Sequence, residues 1–277
     1  ENIRKAIECF EAALQVFTKQ DDPTRWAQTK NMLGAAWRRL EAGGRERNVL
    51  NAIGCHQAAL QIITKETAPL EWASTQADLG LAWWNLPTGD RAENLGKAIE
   101  AYEASLQVFT KENEPVAWAN AKNKLAYLWS DLPTGDRAGN LTRSIACHKS
   151  ALEVFTKKDD PIKWADIQAG LGLAWWNLPT GDQAENLAKA IECYEAALQV
   201  LTKESEPVAW ANAKNKLAFL WSDLPTGDRA ENLSSAIACF ESALEVFTKK
   251  DDPITWAGMQ AGLGLVWWNL PTGDRAE

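Results

Sequence analysis

Histidine is scarce in this sequence, and with it the residue combinations that usually build catalytic and metal centres. The chain contains two histidines, His56 and His148, and each directly follows a cysteine. Adjacent residues on a helix do not face one another, so neither place suits a Cys–His nucleophile pair. The histidines stand 92 residues apart, without metal-ligand spacing. We therefore expect no catalytic residue, no metal site, no cofactor and no enzymatic activity.

Excess basic charge and long apolar runs are also missing. The formal net charge is −8, whereas nucleic acids and anionic membrane surfaces attract basic proteins. No apolar stretch approaches the roughly 18 residues of a transmembrane helix. Nucleic acid and membrane are therefore not expected as partners. The chain also opens without an apolar leader segment.

The five cysteines share one position of a repeat, at spacings of 46 or 92 residues. Equivalent residues on stacked helices lie about 8–10 Å apart, which is too far for a disulfide, whose Cα atoms lie within about 7 Å. The pattern predicts small core side chains and reduced thiols, which are typical of a cytoplasmic protein.

Tryptophan, in contrast, is abundant and evenly spaced. The 15 tryptophans include one column that recurs every 46 residues from Trp26 to Trp256, and a second column eleven residues later, from Trp37 to Trp267. A fixed period of this length indicates stacked repeats, which present long surfaces rather than enclosed pockets. We predict a single domain over residues 1–277, with six 46-residue units, and expect it to belong to a longer array.

Each unit reads as two helices. In the unit that begins at Pro115, apolar residues recur at helical spacing up to Leu132, where a Leu-Pro-Thr-Gly-Asp segment stops the helix. A second helix begins near Asp136, and Asp90 and Asp228 stand at the same position in sister units. The fold class is therefore all-α, with about twelve antiparallel helices. Within the first helices, a column of glycines predicts close packing of a neighbouring ring; its members are Gly34, Gly80, Gly172 and Gly264.

These motifs resemble the tetratricopeptide repeat (TPR). Leu79-Gly80-Leu-Ala-Trp83, followed by Ala98, Tyr102 and Ser105-Leu106, is similar to the family signature, and all six units carry the pattern. The unit is 46 residues long instead of the family's 34, as in bacterial arrays linked to CHAT caspase-like proteases and signalling modules. The resemblance implies a right-handed superhelix whose concave face, lined by the first helices, binds a peptide or protein segment.

Two kinds of unit alternate, so that the full period is 92 residues. One kind carries a doubled tryptophan, as at Trp83-Trp84, and the other reads Trp-Ser-Asp. The resemblance places the following residues on the concave face: Leu81, Trp84, Asn120, Asn123, Lys124, Tyr127, Leu173, Trp176, Asn212, Asn215, Lys216, Phe219 and Trp268. The Asn/Lys pairs partly match the family's carboxylate clamp; a solvated helix face and general contacts to an extended peptide are the alternatives.

The tryptophans at 84, 176 and 268 allow two interpretations. Each follows a tryptophan at the packing position and points about 100° away around the helix, so it is either exposed for a partner or packed under the Leu-Pro-Thr-Gly-Asp turn.

Three functions remain open at this point. The leading hypothesis is a non-enzymatic scaffold for a protein or peptide partner. The second is assembly with other copies of itself, since the chain begins with a second helix and ends after a first helix without polar caps. The third is a regulatory or sensor arm of a larger bacterial effector.

Overall fold

A computed structural model describes residues 1–271, and over this range the chain forms twelve α-helices and no strand. This confirms the predicted all-α fold. The fifth Leu-Pro-Thr-Gly-Asp turn, expected at 270–274, lies largely outside the described residues. The first helices of the units are α2 (Pro23–Arg39), α4 (Pro69–Asn85), α6 (Pro115–Asp131), α8 (Pro161–Asn177), α10 (Pro207–Asp223) and α12 (Pro253–Asn269). The second helices are α1 (Asn2–Ala13), α3 (Arg45–Ala59), α5 (Arg91–Ser105), α7 (Arg137–Leu152), α9 (Gln183–Leu198) and α11 (Arg229–Leu244).

The first helices begin at proline, where the missing N–H costs no hydrogen bond. Asp22, Asp160 and Asp252 cap three of them, each accepting a hydrogen bond of 3.0 Å from the backbone N–H three residues later. These caps confirm the prediction from the sequence. None of the helices in residues 1–271 is long and apolar enough to cross a membrane.

A buried asparagine fixes the turn before α5, α9 and α11, in a way that the sequence pattern did not reveal. In the third unit, Gly89 has a φ of 83°, which suits glycine, and Asp90 caps α5 by accepting from Glu93 N at 3.0 Å. Asn94 is 5% exposed, and its Nδ2 donates to Thr88 O at 2.8 Å. Asn186 and Asn232 make the same 2.8 Å bond to Thr180 O and Thr226 O.

The chain divides into two compact units, Glu1–Gly135 and Asp136–Glu277. In the first, α2 pairs with α3 and α4 with α5, while α1, α3 and α5 pack on α2, α4 and α6. In the second, α8 pairs with α9 and α10 with α11, while α7, α9 and α11 pack on α8, α10 and α12. Leucine, isoleucine and alanine side chains fill the space between neighbouring helices.

The glycine column brings a first helix close to the ring of the second helix that follows. A Cβ on Gly34 would lie 2.8 Å from His56 Cε1, one on Gly80 2.9 Å from Tyr102 Cδ2, and one on Gly172 3.0 Å from Tyr194 Cδ2. The predicted packing is confirmed at these three positions. It is wrong at Gly264, where a Cβ would meet nothing within 4 Å among residues 1–271, and where no described helix follows.

Candidate binding surface

In the first compact unit, the residues predicted on α4 and α6 come together around one tryptophan. The ring of Trp84 stacks on Tyr127, with a centroid distance of 6.3 Å and an interplanar angle of 22°. Lys124 Nζ lies 5.5 Å from the Trp84 ring centroid, within the range of a cation–π contact. Lys124 and Tyr127 stand one turn apart on α6, so both reach the same ring. We call Trp84, Lys124 and Tyr127 the first aromatic–lysine cluster.

The second compact unit repeats this arrangement on α8 and α10. Trp176 stacks on Phe219 at 6.4 Å with an interplanar angle of 23°, and Lys216 Nζ lies 5.6 Å from the Trp176 centroid. Phe219 also meets Phe240 of α11 edge-on, at 5.0 Å and 88°. Trp176, Lys216 and Phe219 form the second aromatic–lysine cluster. Two segments 92 residues apart thus build the same local geometry.

Trp84 and Trp176 have a stacking partner that neither interpretation from the sequence included. Each is half-buried, and each stacks on a ring of the next first helix. The stacking partner stands 43 residues later in the chain, so helical periodicity within one segment could not reveal it. Trp268 on α12, in contrast, is 86% exposed.

The other predicted surface residues divide by exposure. Leu81, Asn120 and Leu173 are half-buried beside the clusters, and Asn212 is exposed. Asn123 is only 1% exposed, so the expectation that its side chain lies on an open helix face is corrected. Asn215 is half-buried, and its Oδ1 is buried without a hydrogen-bond partner among residues 1–271. The Asn/Lys pairs therefore do not present both side chains at the surface, as a carboxylate clamp requires.

The first unit of the array replaces the tryptophan with a charge. Arg38 occupies the position that Trp84 holds 46 residues later, and its Nη2 lies 3.4 Å from Asp78 Oδ1 on α4. Burial raises the pKa of Asp78, and Arg38 opposes that rise. Arg38 and Asp78 stand 46 residues before Trp84 and Lys124. The same two repeat positions thus hold an ion pair between α2 and α4 and a cation–π contact between α4 and α6.

The Cys55–His56 pair carries no activated group. His56 is fully buried, and its Nδ1 donates to Asn31 Oδ1 at 2.6 Å. Burial, with a smaller contribution from Arg38, lowers the pKa of His56 to about 4, and burial raises the pKa of the Cys55 thiol. Both groups are therefore neutral near pH 7, whereas a nucleophilic cysteine needs a lowered pKa. Residues 1–271 contain no group of three or more His, Cys, Asp or Glu placed to hold a metal ion.

Comparison with known proteins reveals likeness of fold. No family model matches the sequence, and no curated protein does either. The crystal structure of BtubC (BKLC) from P. vanneervenii is similar, with 19% identity, a TM-score of 0.59, and coverage of 88% of this chain and 89% of that one. At this identity the likeness concerns the fold alone, and it agrees with the predicted TPR-like solenoid of helix pairs.

Two more solved structures give weaker matches. The C-terminal part of a TPR repeat-containing protein from Cytophaga hutchinsonii is 14% identical, with a TM-score of 0.46 over 95% of each chain. A Sel1 repeat protein from Oxalobacter formigenes is 14% identical, with a TM-score of 0.45 over 95% of this chain and 96% of that one.

Proposed function

We propose that the protein is a non-enzymatic interaction scaffold, and that the two aromatic–lysine clusters contact an extended peptide or protein segment. The observation that carries this proposal is their duplication: α4–α6 and α8–α10 build the same tryptophan, lysine and ring arrangement. A half-buried tryptophan offers a rigid apolar face at little cost in side-chain entropy, and tryptophan is enriched among residues that dominate binding energy.

The surroundings of each cluster suit a peptide. Leu81 and Leu173 add apolar surface next to the tryptophans, while Asn120 and Asn212 stand one turn before the lysines and can bond a peptide backbone. Each lysine ammonium can also pair with a carboxylate. We propose that, within each compact unit, the face formed by the first helices belongs to the concave face implied by the TPR resemblance. A cytoplasmic location is part of the same proposal.

Peptide selection tests the scaffold proposal directly. Random 16-residue peptides would be selected by phage display on residues 1–277, and the affinities of the selected peptides measured by calorimetry. We expect Trp84→Ala or Trp176→Ala to weaken binding at least tenfold, which is about 1.4 kcal/mol, and Lys124→Glu to weaken binding of acidic peptides without removing the ring. Val116→Ala, a change at an exposed residue of α6 outside the cluster, is the matched control. Selected peptides that bind all variants equally would refute the proposal.

Self-association is a second candidate function, which the surface of α12 favours. Ile254, Leu265, Trp267 and Trp268 are 84%, 64%, 53% and 86% exposed, and no ring of residues 1–271 fills the position opposite Gly264. In α1, Phe10 stands at the position that His56, Tyr102 and Tyr194 occupy opposite the other glycines. Light scattering of residues 1–277 over a range of concentrations tests this candidate. A constant monomer mass up to high micromolar concentration would exclude it.

A further inference from the structure

The turn between α2 and α3 departs from its sister turns in the position of its acidic residue and in the arginines that precede it. Sister turns read Leu-Pro-Thr-Gly-Asp, whereas this turn reads Leu40-Glu-Ala-Gly-Gly44. Asp90, Asp136, Asp182 and Asp228 each accept a backbone N–H at the start of a second helix. Gly44 stands in their place with a φ of 93° and provides no side-chain cap. The N-terminus of α3, where the helix dipole favours negative charge, thus keeps Glu46 in its first turn but lacks the capping carboxylate.

Arginines surround the same turn. A cavity of about 380 Å³ is lined by Arg38 and Arg39 from α2, Arg45 from α3 and Asn85 from α4, with Glu41 as its acidic member. Arg38 and Arg39 replace the Trp-Asn or Ser-Asp dipeptides that end the other first helices. Glu41, at the position of the sister prolines, offsets the missing aspartate in charge, so the added Arg38 and Arg39 are what make this turn more positive.

Two of these guanidinium groups are uncommitted. The sister residues Arg91 and Arg229 donate from Nη1 to the carbonyl oxygens of Trp84 and Ser222, at 2.6 and 2.5 Å. Among residues 1–271, the side chains of Arg39 and Arg45 make no hydrogen bond or ion pair, although the charge of Arg39 helps to lower the pKa of Asp78. Arg38 Nε is buried without a partner in the same range. Arginine donors arranged around a cavity are suited to an oxyanion.

Asn48 supplies a second, independent indication of a ligand. It is 1% exposed and lines the cavity, and its Nδ2 donates to Leu40 O and Ala42 O, both at 2.8 Å. These two bonds fix the amide orientation, so Oδ1 is the acceptor, and it has no partner among residues 1–271. A buried acceptor left unsatisfied costs about 1–3 kcal/mol. A ligand that fits the cavity would therefore offer acceptors to the arginines and one donor to Asn48.

We propose that this cavity binds a phosphate group. Phosphate supplies several strong acceptor oxygens, and because its second pKa is near 6–7, the group keeps an O–H in one of its common charge states. The anion takes the electrostatic role that Asp90 has at the sister turn, beside the N-terminus of α3. Binding in this cavity is independent of the two aromatic–lysine clusters, so neither proposal depends on the other.

Thermal unfolding of residues 1–277 at constant ionic strength, titrated separately with inorganic phosphate and O-phosphoserine, tests the proposal. We expect at least one of them to raise Tm in a saturable way, and the tighter one identifies a free or an esterified group. Sulfate, which has no O–H at neutral pH, should bind about tenfold more weakly, as expected for one lost hydrogen bond. No saturable shift with either phosphate compound would overturn the site, and equal binding of sulfate would overturn the assignment to phosphate.

Variants separate a specific site from general charge attraction. Arg39→Gln with Arg45→Gln, both at exposed positions, should abolish the phosphate-dependent shift. Arg47→Gln removes a charge from α3 outside the cavity lining and should retain it; equal loss in this control would overturn the proposal. The exchange Glu41→Pro, Ala42→Thr, Gly44→Asp installs the sister turn and its cap. It should raise Tm without phosphate and remove the response to phosphate.

Discussion

The two compact units place different polar side chains at equivalent positions of their packed helices. Both contain an aromatic–lysine cluster of nearly equal geometry. In the first unit, Asn31 on α2 accepts a 2.6 Å hydrogen bond from the buried His56 of α3. In the second unit, Asn215 stands at the position of Asn31 and Phe240 at that of His56, and Asn215 Oδ1 is left without a partner among residues 1–271.

This difference shows that the two units place a ring of similar shape at the same repeat position, although the polarity of the ring differs. Phe240 packs edge-on against Phe219 at 5.0 Å, so the second unit gains an aromatic contact where the first has a hydrogen bond. Geometry at the helix level tolerates either solution, because both rings are flat and fit beside a small residue. The energetic consequences differ, since a buried polar group without a partner is costly, and the following predictions test these consequences.

The largest expected effect is a loss of stability in acid that originates at the buried histidines. Burial lowers the pKa of His56 to about 4, while the unfolded chain titrates near 6.5. The unfolded state thus takes up a proton below pH 6.5 that the folded state refuses. The stabilisation is complete above pH 6.5 and is lost as the pH falls towards 4, by about 3 kcal/mol for this residue.

Urea unfolding measured between pH 7.5 and 4.5 checks this prediction. Burial likewise lowers the pKa of His148 in the second unit, so both units should lose stability in acid. His56→Phe should reduce the slope of unfolding free energy against pH, and combination with His148→Phe should reduce it further. Slopes that are identical in the wild type and both variants would show that the histidines are not the titrating groups.

The second prediction contrasts the two asparagines. Asn31→Leu leaves His56 Nδ1 without its acceptor and should cost about 1–3 kcal/mol. Asn215→Leu removes an amide oxygen that has no partner in the described chain, so it should cost nothing measurable or stabilise the protein. Unfolding free energies from urea titration at pH 7.5 decide the matter. Equal losses in both variants would end the distinction between the two units.

The third prediction concerns the glycine column. Gly80→Ala and Gly172→Ala place a methyl group about as close to Tyr102 as to Tyr194, 2.9 and 3.0 Å from a ring carbon. Overpacking of this kind costs about 1–3 kcal/mol, partly offset by the roughly 1 kcal/mol gained in helix propensity. Gly264→Ala meets nothing within 4 Å and should stabilise the protein by up to about 1 kcal/mol.

Calorimetric Tm values of the three alanine variants provide the measurement. The matched losses at 80 and 172 would support equal ring packing in both units. A gain in Tm at Gly80 or Gly172 would mean that the tyrosine ring moves aside, and a loss at Gly264 would mean that an unrecognised group packs there.

The sequence was sufficient to predict the features that depend on local chemistry. Proline and aspartate at fixed offsets predicted where α2, α8 and α12 begin. The glycine column predicted close packing of a ring, and the structure identifies the rings as those of His56, Tyr102 and Tyr194. The 46-residue period predicted the helix pairs. These features lie within one helix or between a helix and its immediate successor, where periodicity and turn chemistry determine what meets.

Contacts between successive first helices could not be predicted in the same way. The stacking of Trp84 on Tyr127 depends on the separation and rotation of α4 and α6, which no local pattern encodes. The burial of Asn123 could not be predicted either, because a helix residue becomes inaccessible only when a particular neighbour covers it. The hydrogen bond from Asn94 to Thr88 was not predicted, because an asparagine at the polar start of a helix is usually solvated. The recurrence of this asparagine every 46 residues was a signal that could have indicated the bond.

The prediction with the smallest expected effect compares the two units at the tryptophan column that includes Trp83 and Trp175. Lys97 Nζ lies 4.4 Å from the Trp83 ring centroid and 2.6 Å from Glu93 Oε1, while Lys189 Nζ lies 4.5 Å from the Trp175 centroid and 2.5 Å from Glu185 Oε1. Cation–π contacts at partly exposed sites contribute about 0.5–1 kcal/mol, and exposed ion pairs contribute less. Lys97→Met and Lys189→Met keep the apolar stem, so each should cost about 0.5–1 kcal/mol, by urea titration in low salt.

The matched control for this pair is Lys65→Met, since Lys65 bonds Gln107 and contacts no ring in residues 1–271; we expect almost no loss there. Because a cation–π contact is less screened by salt than an exposed ion pair, most of the loss at 97 and 189 should persist at 0.5 M NaCl. A loss that disappears with salt would assign the effect to the glutamates, and unequal losses would show that the two units differ in their helix-pair packing as well as in their buried polar groups.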